Sequence, residues 1–143
     1  LEAKAASSVM GNGFYLVKRW NNKNSQANIY LLSSVGLNTE NSESMATVGI
    51  HGDWENRQFM VMEMLEYYSY NNAWVSNTRV AYSPFKVGYS KTSAWFIAHY
   101  RVEYHNDSYS YMFFPVIRLF KKNYLFELGS NGKNSFLSFM THF

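Results

Sequence analysis

SAWFIAHYRVEYHNDSYSYMFFPVIRLFKK, residues 93–122, is the stretch on which the fold turns. Apolar and polar residues alternate on both sides of Asn106-Asp107, a dipeptide suited to a two-residue hairpin loop. Pairing His105 with Ser108 sets the register of all the rest. One face then carries Ala94, Phe96, Ala98, Tyr100, Val102 and Tyr104 opposite Leu119, Ile117, Pro115, Phe113, Tyr111 and Tyr109. That face is apolar throughout and ends in tyrosines at the turn. The other face pairs Trp95 with Arg118, Ile97 with Val116, His99 with Phe114, Arg101 with Met112 and Glu103 with Ser110. It sets charges among aromatics. Independent residue choices on two strands agree under one register, which is what a β-hairpin requires.

Working outward, residues 59–70 (FMVMEMLEYYSY) place Met60, Met62 and Met64 on one alternating face. A helix would instead group Glu63, Glu66, Tyr67 and Tyr70. Asn71-Asn72 favours the strand, as a two-residue turn into residues 73–82. That register opposes Met64 to Arg79 and Glu66 to Asn77, and makes Glu66 and Arg79 diagonal neighbours. Residues 11–20 (GNGFYLVKRW) read as a strand with Phe14, Leu16, Lys18 and Trp20 on one face. Residues 27–35, 45–50, 124–128 and 135–143 read as further strands. Residues 85–89 are a short extension and 36–44 a polar loop. Residues 1–10 are a short helix or a loose end. The expectation is a single all-β domain over residues 1–143: an antiparallel closed β-barrel of about eight strands with a short N-terminal segment. Residues 1–26 form a helix or strand extension whose place in the barrel the sequence leaves open.

The 143 residues fit one domain. Aromatics reach 19%, which suits a strand-rich chain with one core or a lipid-facing barrel. With no cysteine, disulfides and thiolate metal sites are excluded. The net charge is +3, and the bases are scattered apart from Lys18-Arg19 and Lys121-Lys122, so no nucleic-acid stripe exists. No run approaches the ~18 apolar residues of a spanning helix, and Leu1 to Met10 lacks the apolar core of a signal peptide. No phosphate loop, nucleophile elbow or carboxylate pair is present, so no cofactor is expected.

Two readings of such a barrel differ in which side is wet. In an outer-membrane barrel the apolar faces meet lipid and the lumen is polar. In a soluble, lipocalin-like barrel, secreted or periplasmic, they line a pocket for a small apolar ligand. A third reading is a structural β module in a larger assembly. The apolar hairpin face, about 11 residues long, has the length of a tilted spanning strand. The final strand carries Leu137 and Phe139 on one face and closes on Phe143, the kind of terminal aromatic that outer-membrane barrels generally present. Glu63 among Phe59, Val61, Leu65 and Tyr67 argues the other way, as does Lys18 beside Trp20.

The densest polar group is His99, Arg101, Glu103 and Arg118. It reads as a lumen site, with Glu103 as base or anchor and the arginines for a phosphate or carboxylate, or as charge pairing that fills space. Met62 and Met64, with Met60, suit an adaptable apolar pocket or plain packing. His51 and Asp53 offer two metal ligands where zinc wants three or four, so no metal is expected. Ser69 lacks a base to activate it. Trp20, Trp54, Trp74 and Trp95 read as membrane-interface anchors or as core.

From about His51 onward the chain resembles the lipid A palmitoyltransferase family of outer-membrane enzymes. The likeness is carried by Gly52-Asp53-Trp54-Glu55, by Ser69-Tyr70-Asn71-Asn72-Ala73-Trp74, by His105-Asn106-Asp107-Ser108-Tyr109 leading to Pro115-Val116, and by residues 135–143. It covers about two thirds of the chain and implies an eight-stranded barrel, an N-terminal helix and a lumen that measures an acyl chain. The family ascribes catalysis to a His and an Asp-Ser pair. Here Tyr68 stands before Ser69 where the aspartate belongs, and residues 1–50 contain no His. The resemblance implies the architecture; it does not carry the activity. Separately, the barrel reading expects a lipid or a small apolar ligand as partner.

Overall fold

The computed structural model describes residues 8–38, 44–85 and 92–141. They form nine strands: β1 (Ser8–Asn21), β2 (Ser25–Asn38), β3 (Ser44–Asn56), β4 (Phe59–Tyr68), β5 (Ala73–Tyr82), β6 (Ser93–His105), β7 (Ser108–Lys121), β8 (Tyr124–Ser130) and β9 (Ser135–Thr141). Each strand pairs antiparallel with the next, in one sheet of order β1 to β9, with no helix among the described residues. The all-β antiparallel expectation holds, with nine strands in place of about eight. The additional strand is β1, which pairs along its length with β2 and so belongs to the sheet. Among the described residues no ladder joins β1 to β9, so the sheet is open. Residues 1–7, the centre of the 36–44 loop, most of the 85–89 extension and Phe143 lie outside the described residues.

The hairpin of β6 and β7 has the register read from sequence, from His105 opposite Ser108 to Ala94 opposite Leu119. Asn106 and Asp107 have φ of +49° and +57°. Positive φ at both central residues is what a type I′ turn requires, and its twist matches that of the strands. The β4–β5 hairpin also forms, but its register differs by two residues. Met62 opposes Arg79, Met64 opposes Asn77 and Glu66 opposes Val75. The cause is a four-residue loop, 69–72, where a two-residue turn was expected. Ser69 leaves the ladder and bonds β3: its N–H donates to the Ala46 carbonyl at 2.9 Å and its Oγ accepts from the Ala46 N–H at 3.1 Å. Asn72 then closes the loop at φ +51°. A slip of two preserves the side-chain parity, so each face keeps its residues.

β1 carries a bulge. Leu16 pairs with Tyr30, and the next paired residue, Lys18, sits opposite Ile29. The extra residue, Val17, reverses the alternation. Lys18 and Trp20 therefore share the opposite face from Phe14 and Leu16, a correction to the face read from simple alternation.

The sheet is curled, as side chains on one face show. Arg79 of β5 reaches Glu127 of β8 at 3.4 Å, and Arg118 of β7 approaches the Met60 Sδ of β4 at 3.9 Å. Three strand spacings span about 14 Å in a flat sheet, so this face is concave, and we call it inner. The buried cluster lies on it: Ala81, Trp95, Ile97 and Val116, flanked by Met60, Phe114 and Phe136. The outer face holds exposed apolar residues that include Phe59, Val61, Val80, Phe96, Phe113, Ile117, Leu128 and Leu137. Among the described residues, exposed large apolar side chains outnumber the seven buried apolar residues several-fold.

Candidate functional site: a polar inner face and an apolar outer belt

All six candidate residues, His99, Arg101, Glu103, Arg118, Met62 and Met64, occupy the inner face. His99 Nε2 lies 3.2 Å from Asn77 Oδ1, and Arg101 Nη2 lies 3.4 Å from Glu103 Oε2. Arg118 stands beside Trp95, further along the hairpin, and binds Glu127 at 2.5 Å. Two residues not named from sequence join these groups. Arg79 is the register partner of both Met62 and His99, and its guanidinium meets Glu127. Glu127 is buried and receives two arginines, whose positive charges face one carboxylate. Its signal in the sequence was a two-residue turn at Lys122-Asn123, which pairs Lys121 with Tyr124 and so Arg118 with Glu127.

A second polar group crosses β1 to β3. Arg19 Nε donates to Asn28 Oδ1 at 2.7 Å, and Asn28 Nδ2 donates to Asp53 Oδ1 at 2.7 Å. Asp53 Oδ2 lies 3.1 Å from His51 Nε2, and the His51 ring meets Tyr30 edge-on at 5.4 Å. The bulge is what aims Arg19 at Asn28. Met60, Met62 and Met64, partly buried on the inner face of β4, stand between the two groups with unbranched, adaptable chains. Most of the charge is therefore internally paired. Buried charge survives only under such pairing.

The chemistry this offers is limited. Among the described residues His51 and Asp53 have no third carboxylate or imidazole beside them to complete a metal set. Among the described residues no serine or threonine hydroxyl bonds either His51 or His99. The Ser69 hydroxyl is engaged by β3 backbone. Two inner-face atoms, His99 Nδ1 and Arg101 Nε, are buried and have no hydrogen-bond partner among the described residues.

The outer face has its own order. Phe59 pairs with Tyr82 and Tyr82 with Phe96, making one row of rings across β4 to β6. Tyr67, Trp74, Tyr104 and Tyr109 make a second row across β4 to β7. Rings touch within the rows: Phe59 and Tyr82 centroids are 5.1 Å apart, Tyr67 and Trp74 5.0 Å, Tyr104 and Tyr109 4.8 Å. On each of β4, β5 and β6 the rows stand eight residues apart, about 27 Å along a strand. Trp20 and Trp54 extend the first row, so three of the four tryptophans are outward; Trp95 is core. Between the rows lie Ile50, Val61, Leu65, Val80, Ala98, Phe113 and Pro115.

Comparison of the chain with family models, with curated proteins and with solved structures finds no match.

Proposed function

We propose that this chain is a small β-barrel protein of an outer-membrane-type bilayer, with its outer face in contact with lipid acyl chains. The observation that carries the reading is the pair of aromatic rows bounding an apolar belt, with ion pairs on the opposite face. Spanning barrels use this division: an apolar band about 25 Å tall, aromatic girdles at both interfaces, a polar interior. In water the belt is a liability, since contiguous exposed apolar surface marks an interface or an aggregation site. In lipid each fully buried Val, Leu, Ile or Phe gains about 1.5–3 kcal/mol, so the same belt becomes the main source of stability. The soluble, lipocalin-like alternative needs most of the apolar residues on the inside, where the structure combines one small buried cluster with arginines, glutamates and histidines.

Closure of the curled sheet into a barrel belongs to this proposal. A bilayer offers no water to unpaired strand edges, so a spanning sheet must satisfy its edges. The resemblance to lipid A palmitoyltransferases supports the same architecture. Catalysis is not part of the proposal, because among the described residues the Ser69 hydroxyl is engaged by the Ala46 N–H and bonds no imidazole or carboxylate.

The test is folding. The chain expressed without detergent is expected to be insoluble, and to fold in detergent micelles with heat-modifiable migration on gels. A soluble, cooperatively folding monomer in buffer would overturn the reading.

A further inference from the structure

We infer that the outer face of β1 to β4 is the contact surface for a second copy of this chain, with Lys18 of each copy paired to Glu63 of the other. The inference rests on the membrane reading above. Between the aromatic rows, Lys18 and Glu63 are the two charged residues of the outer face among the described residues, and they have opposite sign. Lys121, also outward, lies at the β7–β8 turn.

Glu63 is exposed at the centre of the belt, midway between Phe59 and Tyr67. Its carboxylate accepts from the Ser76 hydroxyl at 2.6 Å and the Thr78 hydroxyl at 2.5 Å. Two neutral donors hold the side chain in place but leave its charge facing hydrocarbon. A charge at that depth is costly and, where it occurs, is paired. Lys18 reaches the same face only through the Val17 bulge. Bulges are devices that re-aim a side chain, and without this one the lysine would point into the polar interior. Its Nζ rests 4.9 Å over the Trp20 ring, on the outer side.

The two positions suit a two-fold axis. Lys18, Ile29, Gly52 and Glu63 are successive register partners, so three strand spacings, about 14 Å, separate the charges. Counted from the first aromatic row, Lys18 lies two residues inside Trp20 and Glu63 four inside Phe59, a difference of two residues, about 7 Å along a strand, which the length of a lysine side chain spans. An axis along the membrane normal, passing between Ile29 and Gly52, brings each lysine to the other copy's glutamate. The contact is isologous and forms the pair twice. The surface between them permits close approach. A Cβ added at Gly52 meets nothing within 4 Å. A shallow cavity of about 490 Å³ lies alongside, at Gly13, Tyr15, Leu31, Ser33 and Val48. The match is of this face to itself, which is why the occupant is a second copy.

The natural absence of cysteine makes the test clean. The double variant Lys18→Cys with Glu63→Cys is folded in phosphatidylcholine vesicles or micelles and oxidised. The two sites are too far apart to bridge within one copy, since disulfides need Cα atoms within about 7 Å. The expected result is a disulfide-linked dimer in the double variant and none in either single variant, whose like positions lie about 14 Å apart across the axis. Charge reversal gives a second arm by light scattering in micelles: Lys18→Glu or Glu63→Lys alone lowers the dimer fraction about tenfold, and the two together restore it. Linking in the double variant no greater than in the singles, or a monomeric wild type, overturns the inference. Heat-modifiable migration is read on the same samples: if it is present while dimers are absent, the membrane reading stands and the dimer falls. If it is absent from a soluble chain, both fall.

Discussion

Glu127 shows how a single residue can organise this sheet. It is buried and neutralises Arg79 and Arg118, which come from strands that neighbour neither each other nor, for Arg79, its own. Glu127→Gln keeps the shape and leaves two half-buried arginines without their anion. Breaking a buried pair from one side costs about 3–5 kcal/mol, and the partial exposure of both guanidinium groups reduces this to about 1–3 kcal/mol. Urea unfolding in micelles measures it; an unchanged midpoint would mean that the arginines find solvent. Gly49 is a second sensitive position. A Cβ there would lie 2.6 Å from the Leu65 carbonyl oxygen, a backbone atom that cannot rotate aside. Gly49→Ala is expected to destabilise by about 1–3 kcal/mol in the same assay, as overpacking does. His99, Arg101, Glu103 and Arg118 were legible in the sequence because one hairpin register displays them. The Arg118–Glu127 pair could have been read from the Lys122-Asn123 turn, whereas the Arg79–Glu127 contact could not, because it depends on sheet curvature, which no local pattern encodes.

At the scale of elements, turn chemistry decided which sequence readings survived. Asn106-Asp107 accepts two positive φ values at little cost, so the β6–β7 register followed from the sequence. At 69–72 the same reasoning picked the shortest loop, and bonds from Ser69 to β3, invisible in a pairwise reading of β4 and β5, lengthened it by two residues. Simple alternation likewise missed the Val17 bulge, which moves Lys18 and Trp20 between faces. The β7–β8 turn gives a prediction. Lys122 holds φ +54° at the first central position, where glycine carries no Cβ penalty. An L-residue in the left-handed region costs roughly 1–2 kcal/mol. Lys122→Gly should therefore raise stability by about 1 kcal/mol, and Lys122→Val should lower it by a similar amount, read from unfolding midpoints in micelles. Equal midpoints for glycine and valine would show that the turn rearranges freely.

At the scale of the whole molecule, the fold is defined by where its apolar residues are not. A soluble sheet of this size hides most of them on the concave side; here that side holds a small buried cluster around Trp95 and Ile97 together with ion pairs and methionines, and the larger apolar belt is outside. The two environments make opposite demands on one substitution. Val80 is 50% exposed on the outer face, between the aromatic rows. If that face meets water, Val80→Arg is an ordinary surface change worth no more than about 0.5 kcal/mol. If it meets lipid, the guanidinium enters hydrocarbon two residues inside the Tyr82 row and costs about 1–3 kcal/mol, between the midplane and interface values. Ser135, outward at the start of β9 and next to a turn, supplies the depth control: Ser135→Arg should cost at most about 1 kcal/mol, because near the interface the charge reaches water. Folding of both variants into phosphatidylcholine vesicles across a urea series separates the cases. A penalty at Val80 several times that at Ser135 is the signature of a bilayer, since depth is the one variable that water cannot impose. Equal small effects at both positions would place the belt in water and remove the physical basis for a membrane barrel.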